Sequence, residues 1–404
     1  MGRSNNGRGA VRATTVPSPW WGGIGWGVAQ MRFETIAVHA GAEPDAATGA
    51  VAPPIHLSTT FEHGPASEDP HGFHYVRDAN PTQSRLETAL AAIEQGEAAL
   101  VWASGMAATG AYLQALPPGS HVVFPDDMYY ANRVIARDLF PRWGLTSTAV
   151  DGADLAAIQA ALTPATRLVW AESPSNPLMK VVDLARLAEL AHSRGAELLV
   201  DGTFATPALQ QPLALGADVV LHSTTKYIGG HSDVQGGALV FKRRGDRFRR
   251  VEELRSLLGA VASPFNSWLV LRGLRTLAVR VERQSASALA LAAAVEGHPR
   301  LTAIHYPGLA VHRGHETARR QMRAFGGMLS IQVAGGRAGA LDVASRVRLF
   351  LNATSLGGAE SLIEHRASSE GPDSTTSEDL LRISVGLEHP QDLIDDLRQA
   401  LDRA

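Results

Sequence analysis

The 404-residue chain contains no cysteine. Its stability therefore owes nothing to disulfides or thiolate-bound metal, and no metal site is expected; a reducing cytoplasm is compatible and is the expected location. Lysine is almost as scarce, with Lys180, Lys226 and Lys242 the only three. No run of 18 apolar residues occurs, so no membrane span is expected. The net charge of −3 provides no basic excess, which argues against a nucleic-acid partner. What remains is a chain with 45% hydrophobic residues, long enough for two or three domains around a sizeable core.

Acids are also missing from the first thirty residues; the first is Glu34. That stretch carries Arg3, Arg8 and Arg12 together with Trp20, Trp21 and Trp26, and Pro17 and Pro19 interrupt any helix. A transit peptide would share the Arg-rich, acid-poor composition, but the simpler expectation is a disordered tail ahead of a true start at Met31.

Of the three lysines, Lys226 stands in the most suggestive place. Leu198-Leu199-Val200-Asp201 reads as a short strand ending in a carboxylate. Asp218 to Lys226 reads as a second strand, ending in Ser223, Thr224, Thr225 and the amine. In an open α/β sheet, ligands bind at the carboxyl ends of strands, so these two ends mark a candidate cofactor site. A lysine whose pKa is depressed by burial becomes a nucleophile suited to a Schiff base with pyridoxal phosphate (PLP). A carboxylate facing the pyridinium nitrogen keeps that ring electron-withdrawing, and Ser223 and Thr225 could bond its phosphate.

Asp201-Gly202-Thr203-Phe204-Ala205-Thr206-Pro207, followed by His222-Ser223-Thr224-Thr225-Lys226-Tyr227-Ile228-Gly229-Gly230-His231-Ser232-Asp233, resembles the signature of the Cys/Met-metabolism PLP enzymes, which include cystathionine γ-synthase, cystathionine γ-lyase and methionine γ-lyase. The likeness runs from about Phe33 to the C-terminus. It implies an α/β fold of type I, aspartate-aminotransferase-like, with a mostly parallel sheet in a large PLP domain and a smaller C-terminal α/β domain. The expected organisation is a tail over 1–30, an N-terminal arm over 31–90, a PLP-binding domain over 91–262 and a C-terminal domain over 263–404.

The resemblance also implies roles for other residues. Tyr75 and Arg77, in Tyr75-Val76-Arg77-Asp78-Ala79-Asn80-Pro81-Thr82, match the loop that reaches the phosphate of a neighbouring subunit, making a dimer the catalytic unit and a homotetramer the expected assembly. Ser104, Gly105 and Met106 match a phosphate cradle, where N–H groups at a helix start bind anions. Tyr129 matches the tyrosine that stacks on the pyridine ring and can shuttle protons, and Asn176 the asparagine that bonds the phenolic oxygen. Arg382 matches the clamp for the substrate α-carboxylate, and Ser355 holds either that carboxylate or the lysine.

By the same resemblance Lys226, Asp201 and Tyr129 are the catalytic set of an enzyme that eliminates or replaces a γ-substituent on cystathionine or homoserine-ester amino acids. Lyase and synthase share their early steps, so both stay open, with methionine γ-lyase and acylhomoserine sulfhydrylase as alternatives inside the family. An alternative of another class is a PLP-binding scaffold that has lost catalysis. Several positions depart from the family pattern: Thr354 stands where a glutamate commonly precedes the serine, and Tyr130-Ala131 follow Tyr129 where a glycine is usual. Glu364-His365-Arg366-Ala367-Ser368 replaces a longer His-Pro-Ala segment, and Arg366 either meets an extra substrate carboxylate or pairs with Glu370.

Elsewhere the pattern is coarse. Alternation of apolar runs with helical stretches such as Leu184 to His192 over 87–241 argues βαβ units. Long helical periodicity over 247–297, a strand over Met328 to Val333 and a helix over Leu341 to Leu351 are expected beyond them.

Overall fold

A computed structural model describes residues 31–404; the expectations about the N-terminal thirty residues lie outside it. Seven strands form the larger sheet: β1 (Ala98–Trp102), β2 (His121–Pro125), β3 (Thr146–Val150), β4 (Thr166–Glu172), β5 (Glu197–Asp201), β6 (Val219–His222) and β7 (Gly237–Phe241). Their spatial order is β1-β7-β6-β5-β4-β2-β3. The pairs from β6 through to β3 are parallel, whereas β7 runs antiparallel to both β1 and β6. This is the mostly parallel sheet expected.

Side chains on successive residues of a strand point to opposite faces, and both faces here are covered. Val101, Val169, Val200 and Val240 enter one apolar cluster with the helices Pro81–Glu94 and Leu184–His192. Their neighbours Leu100, Trp170, Leu199 and Leu239 enter another, with the helices Gly105–Gln114 and Asp246–Leu258. Such two-sided burial explains why these strands read as unbroken apolar runs.

A smaller sheet has five strands: β8 (Leu301–His305), β9 (Met328–Val333), β10 (Leu351–Asn352), β11 (Leu362–His365) and β12 (Leu380–Ser384), in the order β10-β11-β12-β9-β8. The nineteen-residue helix Leu277–Val295 joins the two layers. Leu277 and Val281 pack into the core of the large sheet, and Leu291, Ala292 and Val295 into that of the small one.

One expectation fails. The helix expected over Leu341 to Leu351 is Gly336–Arg346. Its apolar spacing continues past Arg346, but the Asp396 carboxylate accepts the N–H groups of Arg348 and Leu349, at 2.9 and 2.7 Å. Leu351 then donates to Ser361 O at 3.0 Å and begins β10. A tertiary carboxylate has outcompeted the intrahelical acceptors.

Candidate active site

The carboxyl ends of β4, β5 and β6 open into one cleft, lined by Glu172, Asp201, Ser223, Thr225 and Lys226. The start of the helix Gly105–Gln114 closes one side, and Thr354, Ser355, Arg366 and Arg382 from the smaller layer close another. Register explains the convergence: Glu172 lies opposite Asp201, and Asp201 opposite Leu221, one residue before His222.

Lys226 sits just past β6 and donates from Nζ to Ser355 Oγ at 2.7 Å. Burial pulls its pKa from 10.5 to about 8, and the nearby Arg382 and Arg366 cations act in the same direction. That fall raises the free-amine fraction at neutral pH by a factor of roughly three hundred. Ser355 has φ of +89°, a conformation a residue with a Cβ adopts at a cost of about 1–3 kcal/mol. Its oxygens accept Lys226 and the guanidinium of Arg382, which hold it there.

Asp201 accepts the Thr203 N–H at 2.9 Å. Burial pushes its carboxyl above the ordinary range, and the Thr203 bonds and His222 pull it partly back. His222 Nε2 lies 2.5 Å from Glu94 Oε1, and both are fully buried. Thr203 Oγ1 also accepts the Ser223 N–H at 2.9 Å.

At the helix start, Ser104 caps Ala107 N at 3.1 Å, which leaves the Gly105 and Met106 N–H groups without a partner among the described residues. Gly237 permits this approach: a Cβ there would lie 2.2 Å from Ser104 O. The Thr225 hydroxyl donates to Gly236 O and accepts Gly236 N–H, whereas that of Ser223 has no partner among the described residues.

Tyr129 precedes the helix Tyr130–Asp138, its side chain part-exposed over the cleft and its N–H donated to Glu172 Oε2 at 3.0 Å. Asn176 is buried, and its Oδ1 accepts Arg382 Nη1 at 3.0 Å. Arg382 stands on β12, only 4% exposed, opposite Glu364 of β11. Burial and then Arg366 lower its pKa to about 10, so it remains a cation at neutral pH.

Two expected site residues are elsewhere. Tyr75 and Arg77 do not line the cleft of their own chain. Arg77 instead donates to Ser256 O at 2.9 Å, with its guanidinium 5.5 Å from the Tyr75 ring centroid.

The structure also brings in residues that the sequence reading passed over. Glu172 is buried, its pKa pushed well up by burial and by Asp201 nearby. It stands at the end of β4 as Asp201 stands at the end of β5, so the strand-end argument that singled out Asp201 applied equally to it. Thr203 and Gln235 carried no comparable signal.

A family model described as Cys/Met metabolism PLP-dependent enzyme matches residues 34–402. The chain belongs to that family. Among relatives, the Mycobacterium tuberculosis protein named cystathionine gamma-synthase is 50% identical over 373 residues, which is 91% of this chain and 96% of that one. The Bacillus subtilis protein named cystathionine gamma-lyase is 39% identical over 382 residues, 92% of this chain and 100% of that one. Among solved structures, metB from Corynebacterium glutamicum superimposes with a TM-score of 0.91 at 40% identity, over 94% of this chain and 100% of that one. The fold is thus of type I, the cofactor is PLP, and the protein is a PLP-dependent trans-sulfuration enzyme rather than a scaffold without catalysis.

The cleft fits that cofactor. It combines a lysine with a strongly lowered pKa, a carboxyl at a neighbouring strand end, and, at a helix start, N–H groups and a serine hydroxyl that have no partner among the described residues. Among the described residues no group of His, Cys, Asp and Glu could hold a metal ion. None of the described helices is long and apolar enough to cross a membrane.

Proposed function

We propose that the protein is a cystathionine γ-synthase, replacing the γ-substituent of an O-acylhomoserine with the thiol of cysteine. The observation that carries this reading is the 50% identity with the mycobacterial synthase across 96% of its length, against 39% with the Bacillus γ-lyase. Gamma-elimination is the second reading, since it needs the same residues.

When bound, PLP supplies a ring that draws electrons from the α-carbon. The Gly105 and Met106 N–H groups beside Ser104, with the Ser223 hydroxyl, would hold its phosphate, where the helix dipole favours an anion. Thr225 contributes mainly by shaping that turn, because its hydroxyl is engaged by Gly236. Asp201 would hold the ring nitrogen and keep a proton there. Tyr129 would cover the ring, and the Asn176 amide nitrogen, which has no partner among the described residues, would bond the phenolic oxygen while its Oδ1 holds Arg382.

The amino-acid substrate enters with its α-carboxylate on Arg382. Lys226, which would anchor the cofactor, is then the base that takes the proton from Cα and, once it has released that proton, takes one from Cβ, so that the γ-substituent can leave. A pKa of about 8 suits an amine that must both accept and return protons near neutral pH. Ser355 steers that amine through its 2.7 Å bond and shares its carbonyl with Arg382, which links both alternatives raised for it.

Dimerisation completes the site in this reading. Tyr75 and Arg77 are turned away from their own cleft, and Val51, Leu57 and Tyr75 leave apolar surface on the arm at 74%, 69% and 40% exposure. A second copy covers that surface and receives the two side chains at its phosphate; a pair of such dimers gives a homotetramer.

Asp201→Asn is expected to lower turnover with every substrate by roughly a hundredfold, the rate equivalent of one buried charge-assisted hydrogen bond worth about 3 kcal/mol. Amino-acid binding should survive. Near wild-type turnover in steady-state assays would make the acid a structural residue.

The reaction is tested by product analysis with O-succinyl- and O-acetylhomoserine, cystathionine and methionine, each with and without cysteine. Cystathionine formed from an ester plus cysteine is the expected result. Consumption of cystathionine or methionine without ester turnover would replace the synthase reading with a lyase.

A further inference from the structure

Five charged side chains of alternating sign form a ladder behind the cleft. Arg382 Nη2 donates to Glu364 Oε2 at 2.5 Å, and Arg366 Nη1 donates to the same oxygen at 3.0 Å. Arg366 Nη2 then reaches Glu370 Oε1 at 3.0 Å, and Glu370 Oε2 accepts Arg133 Nη2 at 3.1 Å. Arg133 belongs to the helix Tyr130–Asp138, directly behind Tyr129. The first four members are all at most 6% exposed, and Arg366 and Arg382 both line the cleft.

Charge counting along the ladder gives three guanidinium groups against two carboxylates. The one left over belongs to Arg133, whose side chain is 17% exposed, so the four buried members balance, as burial requires. Glu370 Oε2 also accepts the hydroxyls of Ser374 and Thr376. At the cleft end a single oxygen of Glu364, Oε2, serves two arginines, so Arg382 shares its counter-ion with Arg366. Were Arg366 absent, Glu364 would belong to Arg382 alone, and an incoming carboxylate would have to compete with a closed ion pair.

We propose that Arg366 is a positioning residue for substrate binding: by sharing the Glu364 oxygen it leaves Arg382 only partly neutralised for the α-carboxylate, and it ties that clamp to the helix behind Tyr129. This resolves the two roles open to Arg366 in favour of pairing, and gives the pairing a task. The proposal rests on the reading of Arg382 given above.

The test uses the PLP-loaded protein, with glycine as a ligand bearing a carboxylate and methylamine as one without, each titrated against the visible absorption band. Arg366→Gln should raise the glycine dissociation constant roughly tenfold, the scale of weakening one charge-assisted contact. Methylamine binding should not change. Adding Glu364→Gln to Arg366→Gln should restore much of the glycine affinity, because the competing carboxylate is then neutral.

Unchanged glycine affinity in Arg366→Gln, equal losses for both ligands, or a double variant no better than the single one would each overturn the proposal. If Arg366→Gln does not fold, Arg366→Lys takes its place; an intermediate rise confined to glycine supports the role, and no rise overturns it. Arg382→Ala is measured alongside. Glycine affinity unchanged in that variant would overturn the reading of Arg382 itself, whereas a loss there with none in Arg366→Gln removes the ladder's role alone.

Discussion

Lys226→Ala is expected to abolish the visible absorption band of the bound cofactor and to lower turnover by a factor on the order of 10⁴ or more, while the fold survives. Among the described residues the amine makes a single hydrogen bond, to Ser355, and belongs to no apolar cluster, so its loss removes chemistry and little packing. Borohydride reduction of the wild-type protein followed by peptide mapping should place the pyridoxyl group on Lys226. The other two lysines are distinguishable: Lys180 lies 3.2 Å from both Asp126 and Asp151, and Lys242 follows β7 outside the cleft. Label on either would sink the assignment. The pH dependence has a definite sign. With a pKa near 8, the fraction of Lys226 able to react with added PLP rises as pH increases and levels off above about 8, instead of continuing to rise toward 10.5. Cofactor uptake by the apo-protein, followed spectroscopically, reports this.

The core of the site was legible because its residues sit at strand ends. Asp201 and Lys226 each follow a short apolar run, and a parallel sheet with both faces covered brings such ends to one edge. Arg382 was legible for a different reason, through the resemblance that matches it to a carboxylate clamp, although the cross-strand Glu364 that accompanies it depends on β11 and β12 being antiparallel neighbours. Of the ladder behind it, only the pairing of Arg366 with Glu370 was legible. Arg133 and Glu370 are 237 positions apart and meet only because the helix behind Tyr129 packs near the short helix Arg366–Glu370 that follows β11. The helix misplaced at Leu341 to Leu351 failed for the same kind of reason, since Asp396, 48 residues beyond Arg348, decides where the helix ends. Local pattern located the chemistry; long-range pairing located what supports it.

Mixing two crippled proteins should restore activity. Arg77→Ala keeps Lys226 but lacks the guanidinium proposed to hold a neighbour's phosphate, and Lys226→Ala keeps Arg77 but lacks the amine. Each is expected to be nearly inactive alone. In a hybrid dimer, one cleft contains Lys226 from the first chain and Arg77 from the second, and the other cleft contains neither. If subunits exchange freely, half of the dimers are hybrids with one intact cleft in two, so recovered activity should approach roughly a quarter of the wild-type value for closed two-fold symmetry. An assembly built from two such dimers gives the same fraction. Native mass spectrometry on chains of different mass establishes that exchange has occurred. The outcome depends on where Arg77 acts: from its present position, bonded to Ser256 O and outside its own cleft, it can serve catalysis only in another copy. Proven exchange without recovery would mean that the arm swings back onto its own cleft, or that Arg77 plays no part in holding the phosphate. Arg77→Ala assayed alone with excess PLP separates these, because retained cofactor affinity would remove Arg77 from the site altogether.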